Sequence, residues 1–278
     1  MIEIIYVTIL GLLFGSFLNV VILRIPQGQS IVFDASHCTS CNTKLKPWHN
    51  IPLLSWLFLR GKCSFCGEKI SVQYPLIEFT SALLFFALFT KMGISLTTFG
   101  IAITFLALLA LSVIDWKYKM VPDSINLFAL TLSIVSVYSP QMFIENFKNA
   151  LLFAGGFALL RFYLSYYLFV KIRHYFLSMK PSSWLYNYHP IPHNVEALGE
   201  ADIMIAATMG ALLGVELGLV AIFLSALLAL PIMIIAKIKA KTIEDTQVAY
   251  IPFLLMATVI TYFFDTPIHN YITTIYGA

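Results

Sequence analysis

The chain has 278 residues, of which 59% are hydrophobic and 11% charged, with a formal net charge of +3 and a mean hydropathy of +0.85. Soluble domains carry roughly 25% charged residues, so this composition excludes a water-soluble globular domain and points to a polytopic membrane protein. The small net charge decides little, because in a membrane protein the placement of Lys and Arg matters more than their sum.

A membrane-spanning helix needs ~20 apolar residues. The first such stretch, "IIYVTILGLLFGSFLNVVIL" (4–23), is read as a retained span and not as a signal peptide. Glu3 and no base precedes it, and Arg24 follows it in place of a small-residue cleavage site. A long polar segment, 24–74, comes next. Further spans are expected near 75–91, 97–114, 124–139, 148–170, 203–217, 219–236 and 249–264, eight in all. The sixth and seventh divide near Gly214–Gly218, where Glu216 must reach the interface. A second long polar segment covers 171–202.

With eight spans, 24–74, 115–123, 171–202 and 237–248 share one side. That side carries Arg24, Lys44, Lys46, Arg60, Lys62, Lys69, Lys117, Lys119, Lys171, Arg173, Lys180, Lys237, Lys239 and Lys241. The opposite side has Lys91 and Lys148, and Arg161 lies inside the fifth span. The positive-inside rule therefore places the long segments in the cytoplasm and both termini outside. The expected fold is an all-α polytopic membrane protein of about eight transmembrane helices. A small cytoplasmic zinc-knuckle segment sits between the first and second. The expected division is a first helix (1–23), a zinc-binding segment (24–74) and a membrane domain (75–278) of seven helices with a cytoplasmic loop at 171–202.

Cys38 and Cys41 in "HCTSC", and Cys63 and Cys66 in "KCSFCG", form two CxxC knuckles. Two knuckles present four thiolates tetrahedrally to one zinc, and four sulfur ligands leave no open position for water, so the expected zinc is structural. Gly67 suits the tight turn after the second knuckle. The alternatives are two disulfides, a redox pair or free thiols. A cytoplasmic location argues against disulfides.

Asp115 ends the third span and Asp202 begins the sixth, both near the cytoplasmic surface and on different helices. Two carboxyl groups brought together this way can share a proton and activate water against a peptide carbonyl. An acid at a helix N-terminus can instead be a simple cap, which suits Asp202. It does not suit Asp115, whose charge opposes the dipole at a helix C-terminus. Asp123 and Ser124 in "VPDS" are expected to cap the fourth span. Glu200 reads as a solvated neighbour, and Glu78 in "YPLIEF" as a helix cap or a substrate contact. His189 and His193 in "HPIPH" read as loop residues, since no HExxH accompanies them. Gly155 and Gly156 are expected to mark close helix packing.

Taken together these stretches resemble the bacterial type IV prepilin peptidases, the prepilin leader peptidase/N-methyltransferases, over nearly the whole length. "GLLFGSFLNVVILRIP" (11–26) is similar to that family's first span. "NIPLLSWLFLRGKCSFCGEKIS" followed by "YPLIEF" resembles its zinc-knuckle segment. "IDWKYKMVPD" resembles the segment of its first catalytic aspartate, and "LGEAD" falls where the family places GxGD. The resemblance implies an inner-membrane aspartic endopeptidase with Asp115 and Asp202 as the catalytic pair. Its partners would be prepilins or pseudopilins and membrane lipid, with no nucleic acid. It also implies N-methylation of the new amino terminus with S-adenosylmethionine as donor, at a site not assigned to residues. Ala201 replaces the second Gly of the motif, Met204 stands where Lys is common, and a late Pro-Phe-Gly-Pro turn is reduced to "IPFLL" (251–255). The competing readings are an ion-coupled transporter using intramembrane acids and a zinc-knuckle scaffold without catalysis.

Overall fold

In the computed structural model, residues 2–33, 36–178, 199–239 and 248–276 are described. His189, His193 and most of the 171–202 loop lie outside the described residues. The described chain is all-α: α1 (Ile2–Arg24), α2 (Leu54–Phe58), α3 (Gln73–Met92), α4 (Leu96–Tyr118), α5 (Asp123–Val135), α6 (Pro140–Ser178), α7 (Glu200–Lys239), α8 (Ile251–Phe263) and α9 (Asp265–Tyr276). Among these residues only isolated bridges, His37 with Lys44 and Lys62 with Lys69, have β geometry.

α4 is the axis of the bundle. Ile101, Phe105, Leu108, Leu111 and Ile114 are all buried, and the helix packs on α1, α3, α5 and α8. Its start is fixed by Ser95, whose side chain accepts the Thr98 N–H at 3.0 Å. Its end is set by Lys119, which adopts the left-handed conformation and returns its N–H to Asp115 O.

Apolar surfaces gain little from meeting each other inside lipid, so membrane helices rely on small residues that allow close approach. α1 meets α3 through Gly11 and Gly15. A Cβ at Gly11 would lie 2.8 Å from Phe85 Cβ, and one at Gly15 would lie 2.7 Å from Glu78 Cα. Gly155 and Gly156 do not play this part: a Cβ at either meets nothing within 4 Å. They lie on an open stretch of α6, and the close packing is made by glycines of α7.

Five described helices are long and apolar enough to cross a membrane, or up to six if α8 and α9, bent by 79°, form one span. The eight expected spans map onto these with two differences, a short fourth and eighth span and an earlier start of the fifth. The expected division of the sixth and seventh spans is found within α7, whose 40 residues are two helices joined at a kink. α7 breaks at Gly214 (φ 74°, ψ −174°), a conformation that favours glycine. Phe153 of α6 holds that break. A Cβ at Gly210 would lie 2.6 Å from one ring atom and a Cβ at Gly218 2.5 Å from another. Eight residues of straight helix would separate those glycines by about 12 Å, so one phenyl ring touches both only because the chain turns between them. The expected fourth and eighth spans are helices of 13 residues each, about 20 Å long. The fifth begins at Pro140, earlier than expected.

Leucine at Gly210 is expected to destabilise the fold by about 1–3 kcal/mol through overpacking. Thermal unfolding in detergent should show the loss, and Phe153→Ala in the same chain should recover part of it. An unchanged midpoint for Gly210→Leu would show that the ring does not fill this break.

Candidate active site and metal centre

Asp115 lies three residues before the end of α4 and is 9% exposed. Its Oδ2 accepts the backbone N–H of Ile251 at 3.1 Å. Ile251 is the first residue of α8, and no side chain of its own N-cap residue caps that helix. The first amides of a helix lack internal acceptors and carry the positive end of the dipole. Asp115 therefore supplies to α8 the cap its sequence lacks. This resolves the misplaced charge at the α4 C-terminus: the anion is set against the N-terminus of another helix.

Asp202 sits in the first turn of α7. Its carboxylate receives the backbone N–H of Gly199, the reach-back contact of a capping box. A Cβ at Gly199 would lie 3.3 Å from Asp202 Oδ2, so the bare glycine leaves room for the carboxylate. The two acids that the sequence singled out, Asp115 and Asp202, 87 residues apart in the chain (202 − 115), thus lie within electrostatic reach of each other.

A third residue supports the arrangement. Asn126 of α5 is fully buried, and its Nδ2 donates to Ala201 O at 3.1 Å, the carbonyl before Asp202. Among the described residues its Oδ1 has no partner. Neither Asn126 nor the Ile251 amide was visible as a site group in the sequence. The signal for Ile251 is Pro252, which sits at the start of a helix where its missing N–H costs nothing.

The remaining acids separate. Glu200 Oε1 lies 3.0 Å from Arg161 Nη1, with Glu200 82% exposed, so this is a rim ion pair of small energetic weight. It also places Arg161 at the same face as the aspartates, with α6 running on past it. Asp123 does not cap α5: Pro122 occupies the N-cap, and Asp123 is an exposed first-turn acid. Glu78 neither caps its own helix nor lies free. It is buried, and its Oε2 accepts the Leu53 N–H at 2.8 Å.

The cysteines converge. Within each knuckle the chain turns back on itself, Asn42 N–H to Cys38 O and Gly67 N–H to Cys63 O. Both turn residues are left-handed, Asn42 at φ 57° and Gly67 at φ 73°. All four Sγ atoms lie within 4.8 Å of one another, Cys38 and Cys66 at 3.9 Å, and no disulfide joins them. The Thr43 hydroxyl, 3.3 Å from Cys41 Sγ, and the Thr43 amide bring the Cys41 pKa down to about 6. The Glu68 amide favours a Cys66 thiolate but is outweighed by burial and the three other sulfurs, which push that thiol up to about 12. Four thiolates this close need a cation to balance their charge, and the cluster could hold a metal ion.

Comparison with known proteins places this geometry in context. Residues 9–92 match the bacterial peptidase A24 N-terminal domain, and residues 102–234 match the type IV leader peptidase family. The prepilin leader peptidase/N-methyltransferase of Xanthomonas campestris is 31% identical, covering 91% of this chain and 88% of that protein. The protein of the same name from Bacillus subtilis is 29% identical, over 97% and 98% respectively. That from Myxococcus xanthus is 39% identical over 54% of this chain, a match spanning 44% of its own length. No solved structure matches the chain.

Purified protein is expected to carry about one equivalent of divalent metal. The pair Cys38→Ser and Cys66→Ser should lose it, as read by elemental analysis. Because the ligands are thiolates, acidification should release the metal. Full metal content in the double variant would remove the cluster as the site.

Proposed function

The chain belongs to the type IV leader peptidase family, and from that premise we propose that Asp115 and Asp202 are the catalytic pair of a membrane aspartic endopeptidase that cuts leader peptides from prepilins and pseudopilins. One observation carries the assignment. Two aspartates from separate helices meet within electrostatic reach, each held by a backbone N–H.

Two carboxyl groups within electrostatic reach favour one protonated and one ionised form, so one serves as general base and the other as general acid. The base takes a proton from water, and the water oxygen bonds to the scissile carbonyl carbon. The acid donates its proton to the amide nitrogen, the C–N bond breaks, and a new amino terminus leaves. The Ile251 and Gly199 amides fix the carboxylates, so the pair needs little reorganisation during reaction. Asn126 is a positioning residue, holding the peptide that carries Asp202 against α5. Ala201 is tolerated in the motif because its carbonyl is the gripped atom and its side chain is small.

The excess of positive charge supports a cytoplasmic position for this face of the protein. An apolar prepilin helix would enter laterally from the lipid, with its basic leader in the water at the rim. The cysteine cluster is a structural zinc site. Tetrahedral bonds of ~2.3 Å place sulfurs about 3.8 Å apart, which matches the 3.9 Å between Cys38 and Cys66. N-methylation of the new amino terminus, with S-adenosylmethionine as donor, is the second activity and is supported by the relatives' names. Ion-coupled transport is disfavoured, since its acids belong near the midplane between broken helices, whereas Asp115 sits at a helix end.

Asp115→Asn and Asp202→Asn should each lower prepilin cleavage by about 10³-fold or more while metal content and unfolding temperature stay unchanged. Asn126→Ala should cost about 10–100-fold, mainly in kcat. Normal cleavage by a folded variant of either aspartate would refute the assignment.

A further inference from the structure

The segment between α1 and α3 exposes more apolar surface than a water-facing module needs. Ile51, Leu54, Leu57 and Phe58 are 45%, 51%, 61% and 82% exposed. Leu54, Leu57 and Phe58 form a stripe on one face of α2, at i, i+3 and i+4, and Ile51 adds an exposed apolar side chain just before the helix, where the backbone is extended. Trp56, on the other face of α2, turns inward: its ring is the nearest neighbour of Gly61, and its Nε1 donates to Ile70 O at 3.3 Å. The stripe is therefore the outer face of a folded unit and not a loose loop.

The depth of α2 is fixed by its tether. The Leu53 N–H donates to Glu78, five residues into α3 and packed beside Gly15 of α1. Glu78 thus starts about 7 Å along the axis of a membrane-spanning helix. Its side chain leans back toward the helix start, which leaves Leu53 within about one turn of the start of α3. A second tie, Gln73 Nε2 to Asn19 Oδ1 and Asn19 Nδ2 to Tyr74 O, holds the neighbouring level of α1 and α3.

Charge selects what covers the stripe. From Ser36 to Val72 the chain carries Lys44, Lys46, Arg60, Lys62 and Lys69 against Glu68 alone. A basic leader peptide would be repelled here, whereas an anionic lipid surface complements both features, its headgroups the bases and its acyl chains the apolar side chains.

We infer that Ile51–Phe58 is an interfacial anchor: its apolar stripe inserts into the adjacent leaflet while the surrounding bases engage anionic headgroups. The anchor holds the metal segment flat against the membrane, beside the aspartate face. It depends on the membrane placement of α1 and α3 and not on the peptidase assignment.

The test places a benzophenone amino acid at Phe58 of the full chain, in nanodiscs of phosphatidylcholine with or without phosphatidylglycerol. The expected result is a phospholipid adduct by mass spectrometry, absent when the probe stands at Ser64 and unaffected by added prepilin. Its yield should rise about two-fold or more with phosphatidylglycerol. Adducts only with prepilin or a second copy, no lipid adduct, or equal yields in neutral and anionic discs would each overturn the proposal. Prepilin cleavage measured on the same labelled protein separates this outcome from the fate of the catalytic assignment. A Leu57 probe provides the second position should the Phe58 label impair folding.

Discussion

A carboxylate buried near the C-terminal end of its own helix faces the negative end of that helix's dipole. Asp115 is in this position, and the Ile251 amide is what makes the position tenable. The hydrogen bond joins the end of α4, the most buried helix, to the start of α8, which has no side-chain cap of its own. It satisfies an orphan amide, neutralises a misplaced charge and sets the height at which α8 enters the bundle. Asp202 is fixed by the same kind of contact, one backbone N–H at a helix start. The site is thus assembled from two helix N-termini, one claimed by an acid from another helix and one by an acid of its own first turn.

Scaffold and site depend on each other through α7. Its first half carries Asp202, and its second half packs back across the Gly214 break around Phe153. Asn126 ties the start of that first half to α5. Displacing the break would tilt the helix that presents Asp202, so the glycines of α7 and the aromatic ring of α6 belong to the geometry of the site although they lie away from it.

Much of this was legible in the sequence, where a single residue type carries a strong constraint. Two CxxC knuckles dictate a four-sulfur cluster, and acids bordering apolar runs announce themselves because they are costly there. The glycine spacing near Gly214 marked the turn in α7. The sequence was silent where the partner is a backbone group or a distant helix. The Ile251 amide is common to every residue type, and Asn126 looks like any helix-end amide until Ala201 is brought to it. Glu78 offered two local readings, and its actual partner, the Leu53 N–H, lies 25 residues away. Gly155 and Gly156 misled because paired small residues mark contact only if another helix is present on that face.

The central claim is that Asp115 and Asp202 act as one unit. A double-mutant cycle in single-turnover prepilin cleavage, with Asp115→Asn, Asp202→Asn and the two combined, tests it directly. Members of one catalytic unit are strongly non-additive. The predicted result is a double variant no slower than either single variant. Losses that multiply across the two substitutions would show that the aspartates work independently, and would contradict the account.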